Sequence, residues 1–104
     1  MNEKTAVSLD ERESVFKALA SSQRLNILSL VLDNDNICAK EISTELELSQ
    51  PDISYHLSKL TQAGILEKHK EGIKYCYDIN YQLLKDIGIH PNVLLNKKPG
   101  GDLE

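Results

Sequence analysis

Apolar positions along this chain repeat with helical spacing four times, switch to a two-residue period, then return to helical spacing. Ser8 and Glu11 form a capping-box pair ahead of the first stripe, Val15, Phe16, Leu19 and Ala20, which predicts a helix running to about Ala20. Ser21 is placed to cap a second helix, SQRLNILSLVLD. Its Leu25, Ile27, Leu28, Val31 and Leu32 run nearly around the cylinder and mark it as the buried, central one. The turn-forming DNDN at 33–36 ends that helix, and Ile37 and Cys38 read as a short extended piece. A third helix over 40–46 turns Ile42 and Leu46 inward.

Only Glu47 and Leu48 separate that helix from a fourth, whose start is written residue by residue. Ser49 is the N-cap, Asp52 closes a capping box, and Pro51 sits in the first turn, where its missing N–H has no intrahelical partner. Gly64 is the left-handed terminator after Gln62 or Ala63. Ile53, Leu57 and Leu60 share the inner face. Pro51, Ser54, Tyr55, Ser58 and Gln62 share the outer one, with Lys59 at its edge. Helix, tight turn and capped helix is the arrangement that sets a second helix into a DNA major groove. Taken alone, the pair reads equally as an ordinary αα-hairpin.

The segment after Gly64 favours the groove. Runs at 66–70 and 73–79 flank Glu71-Gly72, a hairpin turn with Gly supplying a positive φ. Tyr75, Tyr77 and Ile79 alternate with an outward set, Lys74, Cys76 and Asp78. The tip carries Lys68, His69, Lys70 and Lys74 against one acid, Glu71, so it is either a solvated hairpin end or a wing that lays cations along phosphates. Asn80 then caps a last helix with Leu83, Leu84 and Ile87 apolar, ending near Gly88. Beyond the His90-Pro91 break, Val93, Leu94 and Leu95 are free to pack back or to meet a second copy.

The predicted fold class is mainly α with a small β-hairpin: a winged helix-turn-helix, with a three-helix core, a wing and extra helices at both ends. Residues 1–7 read as a flexible start, 8–95 as one DNA-binding and dimerisation domain, and 96–104 as a disordered tail whose Leu103 and Glu104 resemble a vector scar.

Composition adjusts this picture only slightly. At 104 residues, 40% hydrophobic and 27% charged, the chain has the make-up of a single globular domain. No apolar run approaches the roughly 20 residues that span a bilayer, and the start lacks an apolar signal core, so a cytoplasmic protein is expected. The net charge of −4 argues against DNA until its distribution is read. Residues 1–48 hold five basic and nine acidic side chains, whereas 49–80 hold four of each. The acidity therefore lies outside the reading half, and local field steers a phosphate backbone.

The segments VFKALASSQRLNILSLV, ELSQPDISYHLSKLTQAGIL and KHKEGIKYCYDI, in that order, resemble the ArsR family of bacterial and archaeal winged-helix repressors over about residues 14–79. Ser-Gln-Pro, the Ser two residues before His-Leu, and the Ala-Gly end match in register. The resemblance implies a homodimer joined through its first and last helices, with a recognition helix over about 50–63 in each major groove of an inverted-repeat operator and a wing over about 66–79 on the backbone. Site residues carried over or read from the pattern are Ser49, Gln50, Pro51, Ser54, Tyr55, Ser58 and Lys59 on the helix, and Lys68, His69, Lys70 and Lys74 on the wing. Tyr55 stands where family members often have Arg, and Glu47 where a turn Gly is common.

Many members of that family bind metals through a Cys-x-Cys pair. Here Cys38 matches the first position and Lys40 occupies the second, while the last helix offers only Asp86 and then His90. His56, His69 and His90 lie on three different elements without chelating spacing, and His56 reads as a half-buried structural or backbone-bonded residue rather than a ligand. No metal and no cofactor is expected. Cys38 and Cys76 read first as two small side chains. A redox thiol pair is the alternative, and it requires Cα atoms within roughly 7 Å. An enzyme finds no support, because nucleophile-elbow and phosphate-loop spacings are missing. The competing reading is a winged-helix module that binds protein and not DNA.

Overall fold

Each long helix begins at a side chain that satisfies its first free N–H groups. In the computed structural model, which describes residues 7–98, α1 (Leu9–Leu19) opens on Ser8, whose Oγ accepts from Glu11 N while the Glu11 carboxylate accepts from Ser8 N, a complete capping box. Ser21 caps α2 (Ser22–Asp33) through Arg24 N. After β1 (Ile37–Cys38), α3 (Ala39–Leu46) starts one residue earlier than its apolar spacing predicts. Ser49 Oγ accepts from Asp52 N at 3.2 Å to open α4 (Gln50–Gln62), with Pro51 in the first turn. The reciprocal half of the expected capping box at Ser49 is missing among the described contacts, so Asp52 serves there through its charge alone. Gly64, at φ +83°, terminates the helix as expected.

Next come β2 (Leu66–Glu71), β3 (Lys74–Ile79), α5 (Tyr81–Ile87, capped by Asn80 Oδ1 on Leu83 N) and α6 (Pro91–Leu94). The hairpin turn lies one residue later than Glu71-Gly72. Glu71 pairs with Lys74, leaving Gly72 and Ile73 in the loop with Gly72 at φ +67°. The hairpin is also not alone: β1 adds to β3, giving an antiparallel sheet in the order β1-β3-β2.

That third strand corrects the placing of Cys76 in the outward set of the hairpin. Cys76 is fully buried, because β1 closes on β3 and places Cys38 directly opposite it. The two are joined as a disulfide with Cα atoms 3.9 Å apart, so they are not two separate small side chains. Just ahead of β1, Asn36 adopts φ +59° and fixes the corner: its N–H donates to Asp78, its amide donates to Glu71, and its Oδ1 meets the His69 ring.

The core gathers Val15 and Leu19 of α1, Ile27, Leu28 and Val31 of α2, and Ile42 of α3. Ile53, Leu57 and Leu60 of α4 join them, with Leu66, Tyr77 and Ile79 of the hairpin and Leu84 of α5 beyond. The stripe on α1 is displaced from expectation: Ala18 is buried, while Phe16 is 52% exposed and Ala20 lies outside. An amphipathic period does not distinguish a face that meets its own core from one that meets another chain. Of the predicted ends, residues 1–6 and 99–104 lie outside the described residues, and Lys97 is ion-paired with Asp33.

Candidate nucleic-acid interface

The connection between α3 and α4 sets the direction of α4. Glu47 caps α3 in the left-handed region at φ +52°, which turns the chain sharply, and Leu48 N donates back to Ser43 O. Ser43 Oγ donates to Leu48 O at 2.7 Å and holds the corner shut. From there α4 is pinned on its inner face by Ile53, Leu57 and Leu60, all 2% exposed or less. Three positions at helical spacing fix the rotation of the rod, so the opposite side has nowhere to face but solvent.

On that outer side Gln50, Pro51, Ser54, Tyr55, Ser58 and Lys59 are all exposed, together with the cap Ser49. Tyr55 is 56% exposed, with the Lys59 ammonium 5.4 Å from its ring centroid. Ser58 Oγ accepts from Gln62 Nε2, so one further turn carries an amide beside the hydroxyls. The face is short-sided and polar, rich in donors and acceptors, and bears no buried charge. These properties suit contact with base edges in a groove about 12 Å wide.

The hairpin flanks the rod. Ser54, Ser58 and Gln62 of α4 and Lys68 and Tyr77 of the sheet line a shared groove of about 200 Å³. Lys68 and Lys70 lie on one face of the hairpin, their ammonium groups 4.3 Å and 5.9 Å from the Tyr75 ring centroid. Lys74 pairs with Glu71 in the ladder and so belongs to the opposite face. The three exposed lysines thus bracket the tip from both sides. His69 differs from them, because its ring turns to Asn36 Oδ1 and lies 3.6 Å from the Asp78 carboxylate. Burial, with the neighbouring Tyr75 phenol second, holds the Tyr77 hydroxyl above its usual range.

Two side chains beside the rod carry no signal in the sequence pattern. Arg24 Nη1 lies 3.2 Å from His56 Nδ1 while its Nε donates to Ala18 O, and Arg24 and Lys17 line a groove with Tyr55 and Lys59. Arg24 stands 32 residues from His56, beyond any local spacing rule. His56 is half-buried, as expected, and its hydrogen bond joins it to the Arg24 side chain and not to backbone. Among the described residues, no group of three or more His, Cys, Asp or Glu is placed to hold a metal ion, and no helix is long and apolar enough to cross a membrane.

A capped, solvent-facing helix behind a tight turn, joined to a lysine-bearing hairpin, defines a winged helix-turn-helix DNA-binding domain. Similar proteins agree with this assignment. Residues 21–68 match the model of the arsR family of bacterial regulatory proteins. The arsenical resistance operon repressor of Staphylococcus aureus is 32% identical over 88 residues, which cover 85% of this chain and 84% of the repressor. An uncharacterized HTH-type transcriptional regulator of Methanocaldococcus jannaschii is 38% identical over 75% of this chain and 88% of its own length. The homodimeric winged helix-turn-helix DNA-binding domain from Mycobacterium bovis superposes with a TM-score of 0.70 at 28% identity, covering 82% of this chain and 79% of that one. The chain belongs to the ArsR family and is a DNA-binding transcriptional regulator.

Proposed function

We propose that the protein is a homodimeric repressor that reads an inverted-repeat operator, with α4 of each protomer in a major groove and the wing on the flanking backbone. The observation that carries this reading is the exposed polar face of α4 opposite three buried anchors. Ser49, Gln50 and Pro51 at the helix start approach phosphates, where the N-terminal N–H groups favour negative charge. Ser54, Tyr55 and Ser58 discriminate bases, and Lys59, Lys68, Lys70 and Lys74 supply counter-charge. His69, engaged with Asn36 and Asp78, orders the wing more than it contacts DNA.

Dimerisation follows from the apolar side chains that the domain leaves uncovered. Leu9 and Phe16 of α1 and Val93 and Leu94 of α6 are exposed at the two ends of the chain. A second copy related by a two-fold axis covers these positions and sets the two α4 helices about one helical turn of DNA apart. A cytoplasmic location follows from the role. Selection of binders from a pool of random duplexes is the test. The expected product is a palindromic site whose affinity falls steeply with salt; failure to enrich any sequence would remove this reading.

A further inference from the structure

The disulfide joining Cys38 to Cys76 takes no part in reading bases, yet it sits where the two halves of the interface meet. Cys38 immediately precedes α3, the first helix of the helix-turn-helix, and Cys76 lies mid-strand in the wing, opposite His69 of β2. Apart from this bond, β1 is held to β3 by a ladder only two residues long. The cross-link therefore adds a covalent tie at this corner to the Asn36 hydrogen bonds and to the wing residues Leu66, Tyr77 and Ile79 that are buried in the core.

The two sulfurs differ in access. Cys76 is fully buried, whereas Cys38 is half-buried and opens on a groove of about 290 Å³ between α3, the start of α4 and the wing. Lys40, Glu41, Gln50, Lys74 and Tyr75 line that groove, two cations against one acid, with Gln50 of the DNA-facing helix start among them. A groove of this size and charge has room for one anionic, peptide-sized half of a small disulfide, and Cys38 is the sulfur that lines it.

We propose that Cys38 and Cys76 form a redox-active dithiol site, charged by low-molecular-weight disulfides entering beside Cys38, whose disulfide fastens the wing and strengthens DNA binding. This rests on the DNA reading, since regulators of DNA work among thiol pools that make a disulfide transient. In the oxidising direction the Cys38 thiolate attacks one sulfur of the external disulfide, forming a mixed disulfide and releasing one small thiolate. The Cys76 thiolate then attacks the Cys38 sulfur, closing the internal bond and expelling the second small thiolate. Two protein thiols and one small disulfide become one protein disulfide and two small thiols. The closed form binds better because the wing no longer has to be ordered on the DNA.

Oxidised glutathione is the probe, applied to dithiothreitol-reduced full-length protein. The oxidised wild type is expected to lose both titratable thiols, to exchange the amides of 66–79 more slowly than the reduced form, and to bind its selected duplex about three- to tenfold more tightly. Cys76→Ala, apolar at a buried position, is expected to stall as a glutathione adduct on Cys38, and Cys38→Ser to form no adduct and show no redox dependence. Equal wing exchange in both states, equal affinity, tighter binding by the reduced form, or an adduct on Cys76 would overturn the proposal. Slower wing exchange with no DNA affinity in either state would overturn the DNA reading and leave the cross-link standing.

Discussion

Glu47 shows how one residue sets the geometry of the interface at a cost to stability. A non-glycine side chain at φ +52° is disfavoured, and here it forms the corner that aims α4. Glu47→Gly is expected to raise stability by about 1 kcal/mol in urea unfolding, with DNA affinity unchanged. Tyr77 makes a prediction about pH. Its pKa is raised in the folded state by burial, so its contribution is fully present below the usual value of 10.0 and is lost as pH rises beyond it. Chemical denaturation is expected to show a steeper alkaline decline in the wild type than in Tyr77→Phe. Some residues are legible in the sequence because their chemistry is local: Ser49, Pro51 and Gly64 announce a helix start and stop within the span they control. The pairing of Cys38 with Cys76 is not, since a two-residue strand carries no period and a register between segments 38 residues apart is a tertiary fact.

In the proposed binding mode, α4 and the wing divide the labour of binding. Ser54→Ala or Tyr55→Ala is expected to cost about 1–3 kcal/mol on the selected duplex and little on unrelated DNA. Each of Lys68→Ala, Lys70→Ala and Lys74→Ala is expected to weaken all sequences alike and to reduce the salt slope by about 1. Fluorescence titrations at several salt concentrations separate the two patterns. The inner face of α4 is readable from Ile53, Leu57 and Leu60 alone, and the outer face follows by exclusion. The exact turn of the hairpin is not readable in the same way. Gly72 fits either of two adjacent turn positions, and only the ladder pairing Glu71 with Lys74 decides between them.

For the whole molecule, the acidic total and the DNA-binding role are compatible because the charges are segregated. The amino-terminal half carries the excess acid, and the exposed lysines bracket the wing. Phe16 is legible as apolar, but its 52% exposure is not, and the proposed dimer contact would cover it. Phe16→Glu is expected to shift sedimentation toward monomer and to abolish binding to a two-half-site duplex while the far-ultraviolet circular dichroism stays native. Selection from random duplexes, run in parallel on wild type and on Ser54→Ala/Tyr55→Ala, asks whether α4 reads bases. The wild type is expected to select a palindrome, and the variant to show that half-site preference relaxed or lost. Identical consensus sequences from both proteins would contradict base reading by α4.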